Sequence, residues 1–300
     1  MRPPALARGG IDRCADERSA PDLLARLRGE APTRVVAVHG DRAPLDGDGA
    51  LLTVPVGHIR EGVSWAFLGR DAEGAAVLLA ASGADEDIPV AAHPADAWGS
   101  LRAIGGEMSA TDAGLLVEAV ALGRWLVEAP FCSRCGARTE ERTGGWARHC
   151  PVCGREHFPR TDPAVIVAVI SPDGSSLLLG KNALWADRNL YSTFAGFVEA
   201  GESLESAIVR EVQEEAGVLV EALQYRGSQS WPYPRSLMLG FHATAADMSA
   251  ARADGEEIVD VRWISREEIR AALRGDGDIL LPGTTSIAHR LIADWAGDPA

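Results

Sequence analysis

GFVEAGESLESAIVREVQEEAGV occupies residues 196–218. From Ser203 onward its apolar residues fall at Leu204, Ala207, Ile208, Val212 and Ala216. That spacing has a period near 3.6 and predicts a helix with one buried stripe. Ser203 is suited to cap its start, and Gly217 stands where a left-handed glycine ends a helix. Ala195-Gly196 and Gly201 read as loop punctuation, giving loop–helix–loop. Glu211, Glu214 and Glu215 then share a helix face, because residues three and four apart are neighbours there. Three acids crowded together repel unless a cation sits among them. Oxygen ligands of this kind suit a hard divalent cation such as Mg²⁺, which readily shares its coordination with substrate phosphates. Arg210 can reach back to an acid of the loop or helix and hold it still. A solvated acidic patch accounts for one or two of these glutamates, but not for glycine, arginine and glutamate spacing together.

The chain has 300 residues, net charge −14 and pI near 5.0. Its length suggests about two domains. With 46% hydrophobic and 24% charged residues it has ample material for a core. The acidic balance argues against a general nucleic-acid coat. No apolar run approaches the ~18 residues of a membrane span. The start, MRPPALARGGIDR, lacks the apolar segment of a secretory signal. The expected location is therefore cytoplasmic.

Residues 1–29 read as a flexible N-terminus, with a helix beginning near Asp22–Leu27. Residues 30–129 alternate short apolar runs at 35–38, 51–56, 64–69 and 75–81 with turn residues, then give a helix from Thr111 that Pro130 stops. This is a small α+β unit. Its His39, His58 and His93 have no partner at ligand spacing.

Residues 130–160 differ in kind. Cys132-x₂-Cys135 and Cys150-x₂-Cys153 are separated by fourteen residues, and a glycine follows each pair. Four thiolates around Zn²⁺ make a closed structural site. Redox chemistry at CxxC would need a βαβ setting that this turn-rich stretch lacks. Six arginines face three acids here, which as a patch reads either as solvated surface or as a nucleic-acid contact. Cys14 lies apart and reads as a free thiol.

Residues 161–300 mix strands (164–170, 175–180, 191–194, 236–245, 259–265) with helices at 203–216, 266–274 and 285–296. Between them lies SQSWPYPRS, residues 228–236. Prolines stiffen it, so Trp231 and Tyr233 are held as flat rings suited to stacking on a base.

The string Gly196-x₅-Glu202-x₇-Arg210-Glu211-Val212-x-Glu214-Glu215-x-Gly217-Val218 resembles the Nudix hydrolase signature at every defined position. The nonapeptide resembles SQPWPFPxS, the tag of NADH pyrophosphatases of the NudC type, with Ser230 and Tyr233 in place of Pro and Phe. The layout, about residues 30–296, agrees with that family. The resemblance implies an α+β chain with a C-terminal Nudix fold (an α/β/α sandwich), an N-terminal Nudix-like α+β domain and a zinc ribbon between them. It implies Mg²⁺ or Mn²⁺ held by Glu211, Glu214 and Glu215, with Glu202 assisting and Glu257 or Glu256 joining from a later loop. Glu215 and Glu211 are both open as the base. On the substrate side it implies Phe158, Phe197, Gln229, Trp231, Tyr233, Ser236, Glu256 and Ala288. The implied reaction is hydrolysis of NAD(H) to NMN(H) and AMP, with removal of NAD caps from RNA, by a homodimer that Trp231 bridges. A pyrophosphatase for other nucleoside diphosphate derivatives, such as ADP-ribose, is the nearest alternative. A zinc-ribbon nucleotide or RNA regulator without turnover is a second, which the complete acid set disfavours.

Overall fold

The structure is a computed structural model that describes residues 3–90 and 97–297, so His93 lies outside it. Two compact units form: Leu6–Thr161 with Trp231–Arg235, and Met1–Ala5 with Asp162–Ser230 and Ser236–Ala300. Among the described residues no helix is long and apolar enough to cross a membrane.

In the first unit α1 (Leu23–Gly29) precedes β1 (Arg34–His39), β2 (Arg42–Pro44), β3 (Thr53–Pro55), β4 (Ser64–Arg70), β5 (Ala76–Ser82) and β6 (Trp98–Ser100). Then come α2 (Leu101–Ile104) and α3 (Ala110–Glu128). The sheet order is β4-β5-β1-β2-β6, with β3 also on β1. Only β1 and β5 run parallel. Side chains alternate across a strand. Val36 and Val38 accordingly pack with Leu116 and Val120 of α3. Val35 and Ala37 pack with Leu23 and Leu27 of α1.

Helix α3 begins two residues earlier than expected. Its cap is Ser109, whose Oγ accepts from the Asp112 amide at 3.1 Å, and Thr111 lies inside the helix. Residues 8–17 pack on the first unit. Arg8 donates to the carbonyls of Gly105 and Met108 at 3.1 and 2.9 Å. Arg70 grips Glu17 at 2.7 Å, and Gly9 crosses α3 where a Cβ on Gly114 would lie 2.0 Å from its carbonyl oxygen.

The cysteine stretch forms a three-stranded sheet of β7 (Glu140–Arg142), β8 (Ala147–His149) and β9 (Glu156–His157). It joins the first unit because it is bonded to β4. Trp146 Nε1 donates to the Phe67 carbonyl at 2.8 Å, and a Cβ on Gly145 would sit 2.7 Å from the Trp65 oxygen. Arg148 is not solvated surface. It is buried and donates to the Leu126 carbonyl in the last turn of α3, where a cation suits the helix end.

The second unit contains β10 (Asp162–Ile170), β11 (Ser176–Asn182), β12 (Phe194–Phe197), α4 (Leu204–Ala216), β13 (Val220–Trp231), β14 (Ser236–Ala245) and β15 (Ile258–Ser265). It closes with α5 (Arg266–Leu273) and α6 (Ile287–Ala296). Its sheet runs β13-β14-β10-β11-β15, with β12 on β10. Val165, Val167 and Val169 face Ile208, Val212 and Ala216 of α4. Ile166 and Ala168 face Ile287 and Leu291 of α6. The result is an α/β/α sandwich with the acid-bearing helix as one outer layer.

Two sequence expectations need correcting here. The short strand lies at Phe194–Phe197 instead of 191–194, so Gly196 is a strand residue opposite Val165. Tyr191 instead packs in the core facing α6. The tag is also less of a loop than expected. Ser228–Trp231 end β13, Ser236 begins β14, and only residues 232–235 turn. Strand β13 was hidden because its burial does not alternate cleanly, and positive φ at Ala222 and Gly227 breaks its pattern.

The two sheets share one plan. Strands β4, β5, β1, β2, β6 and β3 correspond in order and pairing to β13, β14, β10, β11, β15 and β12. The single parallel pair falls at the same place in each. They differ in what joins the third and fourth strands of each copy. In the second unit it is α4; in the first it is a single turn, Val56–His58.

Candidate active site and zinc centre

The acid helix is set by its ends and its buried stripe. Ser203 Oγ accepts from the Ser206 amide at 3.2 Å, and Gly217 takes φ 70° at the C-cap. Ala207, Ile208, Val212 and Ala216 are fully buried. With that stripe fixed, Glu211 and Glu215 turn toward β12. A Cβ on Gly196 would fall 1.9 Å from the Glu211 carboxyl carbon, so glycine there is the space the carboxylate occupies.

Arg210 organises the remaining acids. Its Nε and Nη2 each donate to Glu202 at 2.9 Å, a bidentate grip. Nη1 donates to Glu211 at 2.8 Å and to Glu214 at 3.1 Å, and Nη2 also donates to the Phe197 carbonyl at 3.0 Å. The guanidinium, helped by the Glu199 amide, holds the Glu202 carboxyl down at about 2. Glu202 is thus the anchor of Arg210.

Glu215 is a different case. It is buried, and burial pushes its carboxyl up to about 8, with Glu257, Glu211 and Asp254 adding repulsion while the Ala195 backbone opposes it. Burial raises Glu211 as well, against the pull of Arg210. One buried and one partly buried carboxyl with raised affinity for protons mark a spot short of positive charge. An oxygen-only donor set of this kind fits a hard divalent cation. Glu257, at the start of β15, faces this spot electrostatically. Exposed Glu256 has its amide bound to Asp254 at 2.8 Å. Asn182 and Asp254 were missed in the sequence; Asn182 reaches Glu257 at 3.5 Å, and Asp254 raises Glu215.

The other residues singled out from the sequence lie in several places. Phe197 ends β12 half-exposed, and Ala288 is buried in α6. Gln229 is buried, its side-chain amide donating to the Thr285 carbonyl at 2.9 Å. Ser236, also buried, pairs with Asp162. Phe158 is exposed in the first unit. Trp231 and Tyr233 belong to that unit too. The Tyr233 hydroxyl donates to Asp41 at 2.9 Å and accepts from the Arg102 amide at 3.0 Å. The Arg102 guanidinium lies 4.3 Å over its ring.

The four cysteines form the only metal-ligand group of converging side chains among the described residues, with all four sulfurs within 4.8 Å of one another. Cys132 and Cys153 are 3.6 Å apart, Cys135 and Cys150 3.5 Å. Tetrahedral zinc with Zn–S of about 2.3 Å needs sulfurs roughly 3.8 Å apart, so the set fits. Each pair sits on the same backbone knuckle. The Gly136 amide bonds Cys132 O and the Gly154 amide bonds Cys150 O, both at 2.9 Å.

Against known proteins, the NUDIX domain description matches residues 160–282, and the NADH pyrophosphatase zinc ribbon domain matches residues 128–158. A Mycobacterium tuberculosis protein, NAD-capped RNA hydrolase NudC, is 38% identical over 98% of this chain and 95% of its own. The chain belongs to the NudC family of Nudix hydrolases. A Stutzerimonas stutzeri NudC is 40% identical over 69% of this chain and 70% of its own. A solved NUDIX hydrolase from Nitrosomonas europaea is 26% identical, covers 57% of this chain and 94% of its own, and has a TM-score of 0.43. As a Nudix hydrolase, the chain is an enzyme acting on a pyrophosphate bond, with a structural zinc ribbon ahead of its catalytic fold.

Proposed function

We propose that this chain hydrolyses NAD(H) to NMN(H) and AMP and removes NAD caps from RNA, leaving a 5′-monophosphate. The observation that carries this is full-length similarity to NAD-capped RNA hydrolases in a chain whose acid helix is complete. The catalytic part is residues 161–300, while 30–129 and the ribbon 130–160 serve structure. Glu211, Glu214 and Glu215, joined by Glu257, hold Mg²⁺ or Mn²⁺. When bound, such ions neutralise the pyrophosphate oxygens and lower the pKa of an attacking water. Arg210 keeps the acids in register through its grip on Glu202. Glu215, with its raised carboxyl, and Glu211 beside it are the groups suited to take the water's proton. Phe158, Phe197, Gln229, Trp231, Tyr233, Ser236, Glu256 and Ala288 form or support the substrate side. The working form is a cytoplasmic homodimer, which light scattering of the intact chain tests.

NADH and Mn²⁺ with the enzyme should yield NMNH and AMP, and Glu214→Gln should abolish turnover with the fold intact. Much faster cleavage of ADP-ribose or diadenosine polyphosphates would replace this substrate assignment with a general pyrophosphatase.

A further inference from the structure

At the end of the second sheet that carries the acids, β12 lies between β10 and β11. Phe197 pairs with Ala164 on β10, Ser192 bridges Gly180 on β11, and Asn182 pairs with Ile258 on β15. Across this end the order is β10, β12, β11, β15. The acids sit in the middle of it: a Cβ on Gly196 of β12 would fall 1.9 Å from the Glu211 carboxyl carbon, and Asn182 at the end of β11 reaches Glu257 at 3.5 Å. Half-exposed Phe197 marks the β10 flank.

The β15 flank has a ring of its own. Strand β11 ends in the turn Ala183–Trp185, with Leu184 84% and Trp185 37% exposed. The turn is pinned in place. Asn182 Oδ1 accepts from the Leu184 amide at 2.9 Å, and the Arg188 amide donates to the Trp185 carbonyl at 2.8 Å. The Ala183 amide donates to the Glu257 carbonyl at 2.8 Å, which ties the turn to the acid loop. The turn thus fixes an aromatic face beside the acids, and an indole held in one pose is suited to stacking on a flat ring. A dinucleotide carries flat rings on both sides of its pyrophosphate. If the acids hold the pyrophosphate and Phe197 takes the nicotinamide flank, the second ring leaves toward Trp185.

We infer that Trp185 is a specificity residue that stacks on the adenine base of the dinucleotide, with Leu184 flanking it. This rests on the substrate reading above. Both free NAD(H) and NAD-capped RNA carry that adenine at the same place, so one contact serves both. Stacking on a planar ring contributes binding without touching the reacting atoms.

The test uses the full-length enzyme with NADH, an NAD-capped oligonucleotide, and a base-less probe in which NMN is joined through pyrophosphate to ribose 5-phosphate. Trp185→Ala should raise KM for NADH and capped RNA about tenfold, with kcat within about twofold, as expected for loss of one stacked base. Trp185→Phe should restore most of it. The base-less probe should show the same KM with wild type and Trp185→Ala. An unchanged KM for NADH, an equal loss on the base-less probe, or a loss confined to capped RNA would each overturn the assignment. A wild-type enzyme that leaves NADH intact defeats the substrate reading itself, an outcome visible before any variant is made.

Discussion

Glu215 shows how one residue ties chemistry to stability. Its carboxyl binds a proton more tightly in the fold, at about 8, than in the open chain, at 4.5. The folded state therefore holds more protons across that interval, and stability falls as pH rises through it. In buffer free of Mg²⁺ and Mn²⁺ but with zinc retained, denaturant midpoints should drop from pH 5 to pH 8. Glu215→Gln should reduce that slope, the remainder coming from buried Glu118, whose carboxyl burial raises to about 7, and should abolish turnover. Gly196 acts by having no side chain. Gly196→Ala would put a methyl where the Glu211 carboxylate lies. Because a side-chain tip gives way more easily than backbone, the fold should survive. Turnover should fall about 100-fold, the usual cost of a 1 Å misplacement, by steady-state assay. The acids themselves were legible from spacing alone. The reason for Gly196 was not, because it read as a loop hinge and the contact it makes spans fifteen residues of chain.

Among elements, helices and the longer strands were readable because each buries a periodic face. Strand β14 and helix α5 lie where their patterns put them. Strand β13 was not readable, since it has no clean face, and β2 and β6 are three residues each, too short to carry a pattern. The tag between β13 and β14 shows what spacing cannot convey. It read as two rings held out for a ligand, yet Tyr233 spends its hydroxyl on Asp41 and the Arg102 amide. Tyr233→Phe should cost about 1 kcal/mol by denaturant unfolding, the usual net value of a hydrogen bond. The ribbon was legible from four cysteines, but its attachment was not: Arg148 looked like part of a basic patch and instead caps α3. Cys153→Ser should leave the purified protein without zinc, by metal analysis, and lower its melting temperature, since structural zinc contributes folding energy directly.

For the whole molecule, the repeated sheet divides labour. The first copy has the strands in the same order and the same parallel pair, but Val56–His58 replaces the acid helix. Among the described residues, no carboxylate set is held there by an arginine as Arg210 holds Glu202, Glu211 and Glu214. Calorimetric Mn²⁺ titration of the Glu211→Gln/Glu215→Gln double variant should therefore find no residual tight site from the first unit. Selection acts differently on the two copies. On the proposed division, a substitution in β1–β6 should act mainly through packing, whereas in β10–β15 and α4 it must also leave the carboxylates where they are. The first copy is free to drift, and among descendants of one ancestor its sequence should decay faster than its shape.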